Sequence, residues 1–301
     1  MSTVVGKTWV CASAASICAA ESLRLRGWAA AIIEFMRSII VRGSGDVGSA
    51  VAHTLFRAGY AVLIHDTAQP TATRRKMSFC DAIFDGSAVL DGICAQLFDD
   101  LSEMTARLAS HELVPVTTLD LSLMLAELRP DVLVDARMRK HDQPEIQIML
   151  APFTVGLGPN FIAGKTVHAA VETGWNEGLG RVIWQGATRP LEGEPQTIGG
   201  HARDRYVYAP AAGVFRTTLR IGDMVTVGQE VATVNKSHLQ APITGILRGL
   251  THDGVPVARK AKVIEVDPRG AQAQITGIAE RPKRIAVGVL DAIRRWESIY
   301  D

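Results

Sequence analysis

"IIVRGSGDVGSAVAHTLFRAGYAVLIHD", Ile39 to Asp66, decides how the rest of the chain is read. A short apolar run, Ser38 to Val41, meets a glycine-rich turn. The turn opens into a segment in which Val47, Val51, Leu55 and Ala58 recur on one helical face. Gly59 closes that helix, and Tyr60 to His65 reads as a second strand. Within the turn, Gly43-Ser44-Gly45-Asp46-Val47-Gly48 fits G-x-G-x-x-G between a strand and a helix, the context in which that pattern has meaning. Gly43 permits the tight turn, Gly45 lets the backbone approach an anion, and Gly48 lets the helix pack close to the strand. The helix N-terminus then offers unpaired N–H groups to a phosphate. Asp66 ends the second strand, where a carboxylate binds a ribose 2′-hydroxyl and favours NAD over NADP. Asp46 cuts against a simple pyrophosphate site, because its charge repels one unless a metal or an arginine intervenes. It can instead cap the helix. A phosphate-bearing ligand and a purely structural loop both remain open.

Downstream, the rhythm continues. Arg74 to Asp85 holds a polar turn and a short helix, and Gly92 to Ser110 reads as a long helix. Leu113 to Val116 is a strand, Leu119 to Leu128 a helix that Pro130 stops, and "DVLVD", Asp131 to Asp135, a buried strand. Strands alternating with helices predict an α/β fold, a Rossmann-like parallel sheet over residues 36–200 with helices on both faces. Arg74, Arg75 and Lys76 follow the second strand and can reach the mouth of such a sheet. Asp135, Arg137 and Lys140 leave another strand at its carboxyl end, the edge at which ligands bind in open parallel sheets. For both groups the alternative is a solvated helix start or a capping aspartate with surface bases. Glu172 ends "HAAVET" and is either a base or a buried, hydrogen-bonded acid. His168, on the same strand, reads as core. "GLGPNF", Gly156 to Phe161, has the glycines for a backbone anion nest.

The pattern changes after residue 200. Residues 201–270 carry short strands with turns at Gly213, Gly222-Asp223, Gly228, Asn235-Lys236, Gly245 and Asp253-Gly254. "APAAGVF" and "APITGIL" repeat, and "IGDMVTVGQ" makes a tight turn between them. That rhythm predicts a small biotinyl/lipoyl-like all-β barrel-sandwich domain. The context around Lys236, Asn235-Lys236-Ser237-His238, does not match an acylated lysine, so no covalent biotin or lipoyl group is expected. Residues 271–301 close with an amphipathic helix, Ile285, Val289, Ala292, Ile293 and Trp296 lying on one face.

The totals narrow the function classes. The 301 residues suffice for about two domains. With 47% hydrophobic and 21% charged residues the chain is globular rather than disordered. A net charge of +1 and no basic stripe argue against extended nucleic-acid binding. Cys11, Cys18, Cys80 and Cys94 have neither CxxC nor metal-ligand spacing, so no metal site is expected and a reducing cytoplasm is the default compartment. Residues 1–35 hold a short apolar run, "VCASAASICAA", with a thin basic flank. They read as an upstream extension, of the kind a misplaced start site produces, rather than a leader or a membrane span.

From Met36 to Ile293, "IVRGSGDVGSAVAHTLFRAGYAV", "RRKMSFCDAIFDG", "PDVLVDARMRK", "VGLGPNFIAG", "VHAAVET", "LGRVIWQG", "IGG", "APITGILRGL" and "DPRG" follow one another in an order that resembles YqeB-type accessory proteins of the selenium-dependent molybdenum hydroxylase system. Those proteins are similar in role to the XdhC accessory factors. The resemblance implies a maturation factor that handles molybdenum cofactor for a molybdenum hydroxylase client and has no turnover of its own. Molybdenum cofactor is a phosphate-bearing pterin, so Gly43, Gly45, Asp46, Gly48, Asp66, Arg74, Arg75, Asp135 and Arg137 are candidates for holding it as much as for holding NAD(P). An NAD(P)-dependent oxidoreductase and a carrier protein are the alternative functions, and homo-oligomerisation stays open. Two stretches depart from the family pattern. "GWNEGLG", Gly174 to Gly180, stands where the family has an Arg-Gly-His-like string. "IAERPKRIAVGVL", Ile278 to Leu290, stands where it has an Ile-Ser-Asp-Lys-like one.

Overall fold

A computed structural model describes residues 36–139, 142–190 and 195–300. The upstream extension read into residues 1–35, and Lys140, lie outside the described residues.

The first body is one large sheet. Its strands are β1 (Ser38–Arg42), β2 (Ala61–His65), β3 (Ser87–Leu90), β4 (Ile93–Leu97), β5 (Val114–Thr117), β6 (Val132–Asp135), β7 (Phe153–Leu157), β9 (Ala169–Val171) and β10 (Val182–Ile183). They lie in the order β10-β9-β7-β6-β1-β2-β5-β4-β3. The interior pairings from β9 to β4 are parallel, whereas β10 pairs with β9, and β3 with β4, antiparallel. A separate pair, β8 (Ile162–Ala163) with β11 (Gly186–Ala187), lies beside β9.

Successive side chains point to opposite faces, and the burial follows that period of two. Ile39, Val41, Val62, Ile64, Val132 and Val134 join one core cluster, while Ile40, Leu63 and Leu133 join another on the opposite face. Helix α1 (Asp46–Arg57) covers the first face with Val47, Val51 and Leu55, each worth about 1.5–3 kcal/mol of burial. The remaining helices are α2 (Asp81–Asp85), α3 (Leu101–Ser110), α4 (Leu121–Leu128) and α5 (Glu280–Tyr300). Met104 and Leu108 of α3, with Met124 of α4, close the second face. Asp100 and Asp120 start these two helices by accepting from Glu103 N, and from Ser122 N and Leu123 N.

The expected Rossmann-like parallel-sheet domain followed by a biotinyl/lipoyl-like barrel-sandwich is corrected here: the sheet is mixed, nine-stranded and poor in helices. A doubly wound sheet needs a helix in each parallel crossover. Among the described residues, the links from β6 to β7 and from β7 to β9 contain none. Their face is covered instead by α5, from the far end of the chain. Ile285, Ala286, Val289, Ala292 and Ile293 enter the same core cluster as α1, and Trp296 stacks on Phe153 with ring centroids 5.1 Å apart. The long helix expected over Gly92 to Ser110 is also corrected. Asp91 (φ 44°) and Gly92 (φ 82°) form a two-residue turn that returns the chain as β4, and only Leu101–Ser110 is helical.

The second body has eight short strands, β12 (Tyr206–Tyr208), β13 (Gly213–Arg216), β14 (Met224–Val225), β15 (Glu230–Val234), β16 (Ser237–Gln240), β17 (Gly245–Leu250), β18 (Pro256–Val257) and β19 (Lys262–Asp267). They form two four-stranded antiparallel sheets, β12-β19-β17-β14 and β16-β15-β13-β18, around Phe215, Leu247, Leu250 and Val263. The link from β2 to α2 ties this body to the large sheet. Leu250 N donates to Thr73 O, Lys76 Nζ to Ile221 O, and the Phe84 ring stacks on His252 at 4.0 Å.

Candidate functional site

Two of the three motif glycines are required by the protein itself. Gly43 has φ +107°, in the left-handed region, and a Cβ there would stand 3.0 Å from the Ala136 carbonyl oxygen. A Cβ on Gly48 would lie 1.9 Å from the Gly43 oxygen. Gly45 differs: its φ is −67°, and a Cβ there would meet nothing within 4 Å. It faces open space at the amino end of α1.

Asp66 is engaged within the protein. Its Oδ2 accepts from Ser44 N (2.6 Å) and Ser44 Oγ (2.7 Å), and its Oδ1 from Thr67 N (2.7 Å). The carboxylate therefore staples the glycine loop to the end of β2, with both oxygens occupied.

Asp46 is the first residue of α1 but not its cap. Gly45 holds the cap position and makes no side-chain cap bond. Asp46 Oδ1 accepts from Val47 N, and Oδ2 from Arg74 Nη1 at 3.0 Å. Burial pushes the Asp46 pKa up, but Arg74, then Arg281 and Lys262, pull it further down, and the net shift is downward. The arginine needed to offset Asp46 is thus present.

Arg74 has a second partner. Its Nε and Nη2 bond the two oxygens of Glu265 on β19 at 2.9 and 3.1 Å, a fork-on-fork pair. Glu265 is fully buried and also accepts from Arg205 Nη1 (2.6 Å), Arg248 Nη1 (2.6 Å) and Lys262 Nζ (3.0 Å). Burial alone would raise its pKa, yet Lys262, Arg74 and Arg248 hold it well below the carboxylate range. The Arg205 guanidinium and the Lys262 ammonium both lie over the Tyr206 ring, 4.4 and 4.5 Å from its centroid. Arg281, at the start of α5, donates from Nε to Thr173 O, two residues past β9 (2.8 Å). Five cations, Arg74, Arg205, Arg248, Lys262 and Arg281, thus gather around two carboxylates, Asp46 and Glu265.

Asp135 and Arg137 form an adjoining network. Arg137 grips both Asp135 oxygens, Gln147 Nε2 donates to Asp135 Oδ2 at 2.6 Å, and Glu145 joins Arg42, Arg137 and Arg139. Gly43 packs against the backbone of residues 136–137, so this network abuts the glycine loop. Arg75 turns away from it, to Asp81 Oδ1 (2.5 Å) and Leu250 O (3.0 Å). His168, read as a core residue on a strand, sits instead just before β9 and is half-buried; its Nδ1 meets the N–H and hydroxyl of Thr154. Glu172 is buried and accepts from Arg189 N at 2.8 Å.

The β19 half of the junction was not anticipated. One signal for it lies in "AKVIEVD", where a glutamate interrupts an apolar strand. An acid buried in such a run requires partners, although the sequence does not say which.

No family model matches the chain. It is 36% identical over 203 residues to the Uncharacterized protein YqeB of Escherichia coli strain K12, covering 67% of this chain and 37% of that protein. This match supports the YqeB family. The chain spans 37% of the length of its YqeB relative. Among solved structures, the product-bound ectoine utilization protein EutE (DoeB) from Ruegeria pomeroyi aligns with a TM-score of 0.23 and 13% identity, over 77% of this chain and 86% of that one. A succinylglutamate desuccinylase from Silicibacter sp. TM1040 aligns with a TM-score of 0.22 and 13% identity, over 77% and 84%. Likenesses of that size transfer neither fold nor chemistry to this YqeB-like chain. Among the described residues, no helix is long and apolar enough to cross a membrane.

Proposed function

We propose that this chain is an accessory factor of a molybdenum hydroxylase that holds molybdenum cofactor, or a related phosphate-bearing ligand, and passes it to the client enzyme. The observation that carries the reading is the excess of cations around Asp46, at the amino end of α1, and Glu265. A helix N-terminus and a surplus of arginine and lysine both favour an anionic group. Arg74, Lys262 and Arg281 would face the phosphate of the pterin, with Gly45 leaving room for its approach. The YqeB relationship supports the family context, while selenium involvement and the client belong to the proposal. The NAD alternative is weakened by Asp66, whose oxygens already serve Ser44 and Thr67.

Ligand release tests the proposal. The protein is purified gently from a molybdenum-replete host and denatured, and the supernatant is examined by mass spectrometry and pterin fluorescence. A pterin is expected. A nucleotide without pterin, at stoichiometric yield, would overturn the reading.

A further inference from the structure

Arg281 stands out in the junction. Among the described residues it donates only from Nε, to Thr173 O, and its two terminal nitrogens have no acceptor. Its helix packs against α1, and Asp46 and Arg74 both act on it electrostatically, yet among the described residues it forms no ion pair. It is only partly exposed, and burial is the main influence lowering its pKa. Lys262 has a partner in Glu265, but that one carboxylate also serves Arg74, Arg205 and Arg248. The terminal nitrogens of this half-buried guanidinium still reach solvent, so they are open to an arriving anion.

The charge sets the ligand class. With the buried Asp267, which pairs with Arg248 and with Arg269, the cluster holds six cations against three carboxylates, Asp46, Glu265 and Asp267, an excess of three. A carboxylate monoanion would leave most of that excess, while a dianion removes more of it and offers acceptors to several donors at once. The donors come from three separate parts of the chain: the segment before α2, strand β19 and the start of α5.

We infer that Arg281, Lys262 and Arg74 form a clamp for a tetrahedral dianion in front of Gly45, either the phosphate terminus of an ester or a free oxyanion of that shape. The location rests on the reading of the junction as the ligand site, but the clamp does not depend on the ligand being a pterin.

The test is calorimetric titration of the full chain with inorganic phosphate, phenyl phosphate and molybdate, alongside thermal denaturation with and without phosphate. Wild type binds phosphate saturably, and phosphate raises its Tm. In Arg281→Gln the affinity falls at least ~10-fold, the scale of a lost charge-assisted hydrogen bond. Without phosphate its Tm stays close to that of wild type, because Arg281 forms no ion pair and its terminal nitrogens reach solvent. Arg281→Lys keeps the charge without the fork and gives intermediate affinity, and it serves if Arg281→Gln fails to fold. Arg259→Gln, on an exposed loop, binds like wild type. Tighter phenyl phosphate supports the ester terminus, and tighter molybdate the free oxyanion. Absence of saturable phosphate binding in wild type, or unchanged affinity in both Arg281 variants, would overturn the clamp. Lack of a released pterin sinks the maturation reading while leaving these titrations intact, so the two failures are separable.

Discussion

Arg74 and Glu265, 191 positions apart, form a two-bond ion pair that joins the glycine-loop body to the buried strand β19. The same guanidinium holds Asp46, so one side chain ties the amino end of α1 to the second body. Removing the anion at the centre leaves Arg74, Arg205, Arg248 and Lys262 facing each other, with only Asp46 and Asp267 nearby to offset them. Glu265→Gln is therefore expected to cost about 3–5 kcal/mol, the range for breaking a buried pair, in urea unfolding at pH 7. A loss below about 1 kcal/mol, on the scale of a surface pair, would contradict the burial argument.

The same carboxylates set the acid limit. Both Asp46 and Glu265 have folded pKa values below their ordinary ones. Depressed folded values give stability that is present above the unfolded pKa, about 4 for such groups, and lost as pH falls through the folded value. Wild type should hold its stability from pH 7 to about 5 and lose it progressively below about 4. Glu265→Gln should show a shallower acid slope. Equal slopes would mean that Glu265 is not held in its charged form by the cations.

Gly45 and Gly48 should separate binding from folding. Gly48→Ala puts a methyl 1.9 Å from the Gly43 oxygen, so α1 must move off β1, and marked destabilisation of at least ~2 kcal/mol is expected. Gly45→Val meets open space at an ordinary φ and should cost no more than about 1 kcal/mol, the scale of a cap substitution. It should nevertheless abolish binding of the phosphate-bearing ligand. Retained binding in a folded Gly45→Val protein would remove this loop from the site.

These particular residues also show what was legible beforehand. The strand, glycine turn and helix of Ile39 to Asp66 could be read because local periodicity and turn chemistry agree there. The mixed character of the sheet could not. It depends on the Asp91-Gly92 turn, which looks like an interruption in a helix, and on α5 (Glu280–Tyr300) returning from the far end of the chain to cover β7, β9 and β10. Asp46 and Arg74 were picked out as candidates from loop context. Glu265, Lys262 and Arg281 escaped notice because their meeting with Asp46 is tertiary, and no sequence spacing encodes it. Asp66 was read for its position, but its chemistry is decided by Ser44 next to it in space.

Asp66→Ala separates a staple from a ribose ligand. Losing acceptors for Ser44 N and Oγ and for Thr67 N should destabilise the chain by about 1–3 kcal/mol, the cost of leaving part-buried donors unpaired. Under the oxidoreductase reading, NADH binds saturably and weakens in this variant. The expected result is lost stability with no saturable NADH binding in either protein, read by urea unfolding and NADH fluorescence titration. Saturable NADH binding that weakens in Asp66→Ala would restore the dinucleotide reading.

The alkaline limit falls on the contact between β2 and α5. Tyr60, just before β2, donates its hydroxyl to Glu297 Oε2 at 2.8 Å. Burial, then the Glu297 hydrogen bond and charge, push its pKa up to about 12. A raised folded pKa gives stability that is complete below the unfolded value, about 10 for tyrosine, and is lost as pH rises through the folded one. Ultraviolet titration should therefore show one tyrosine ionising late, near pH 12, together with loosening of α5. Tyr60→Phe should delete that late ionisation and flatten the decline in stability between about pH 10 and 12. If the late ionisation persists in Tyr60→Phe, it belongs to another tyrosine, Tyr206 being the first to examine because burial and Glu265 raise its pKa as well.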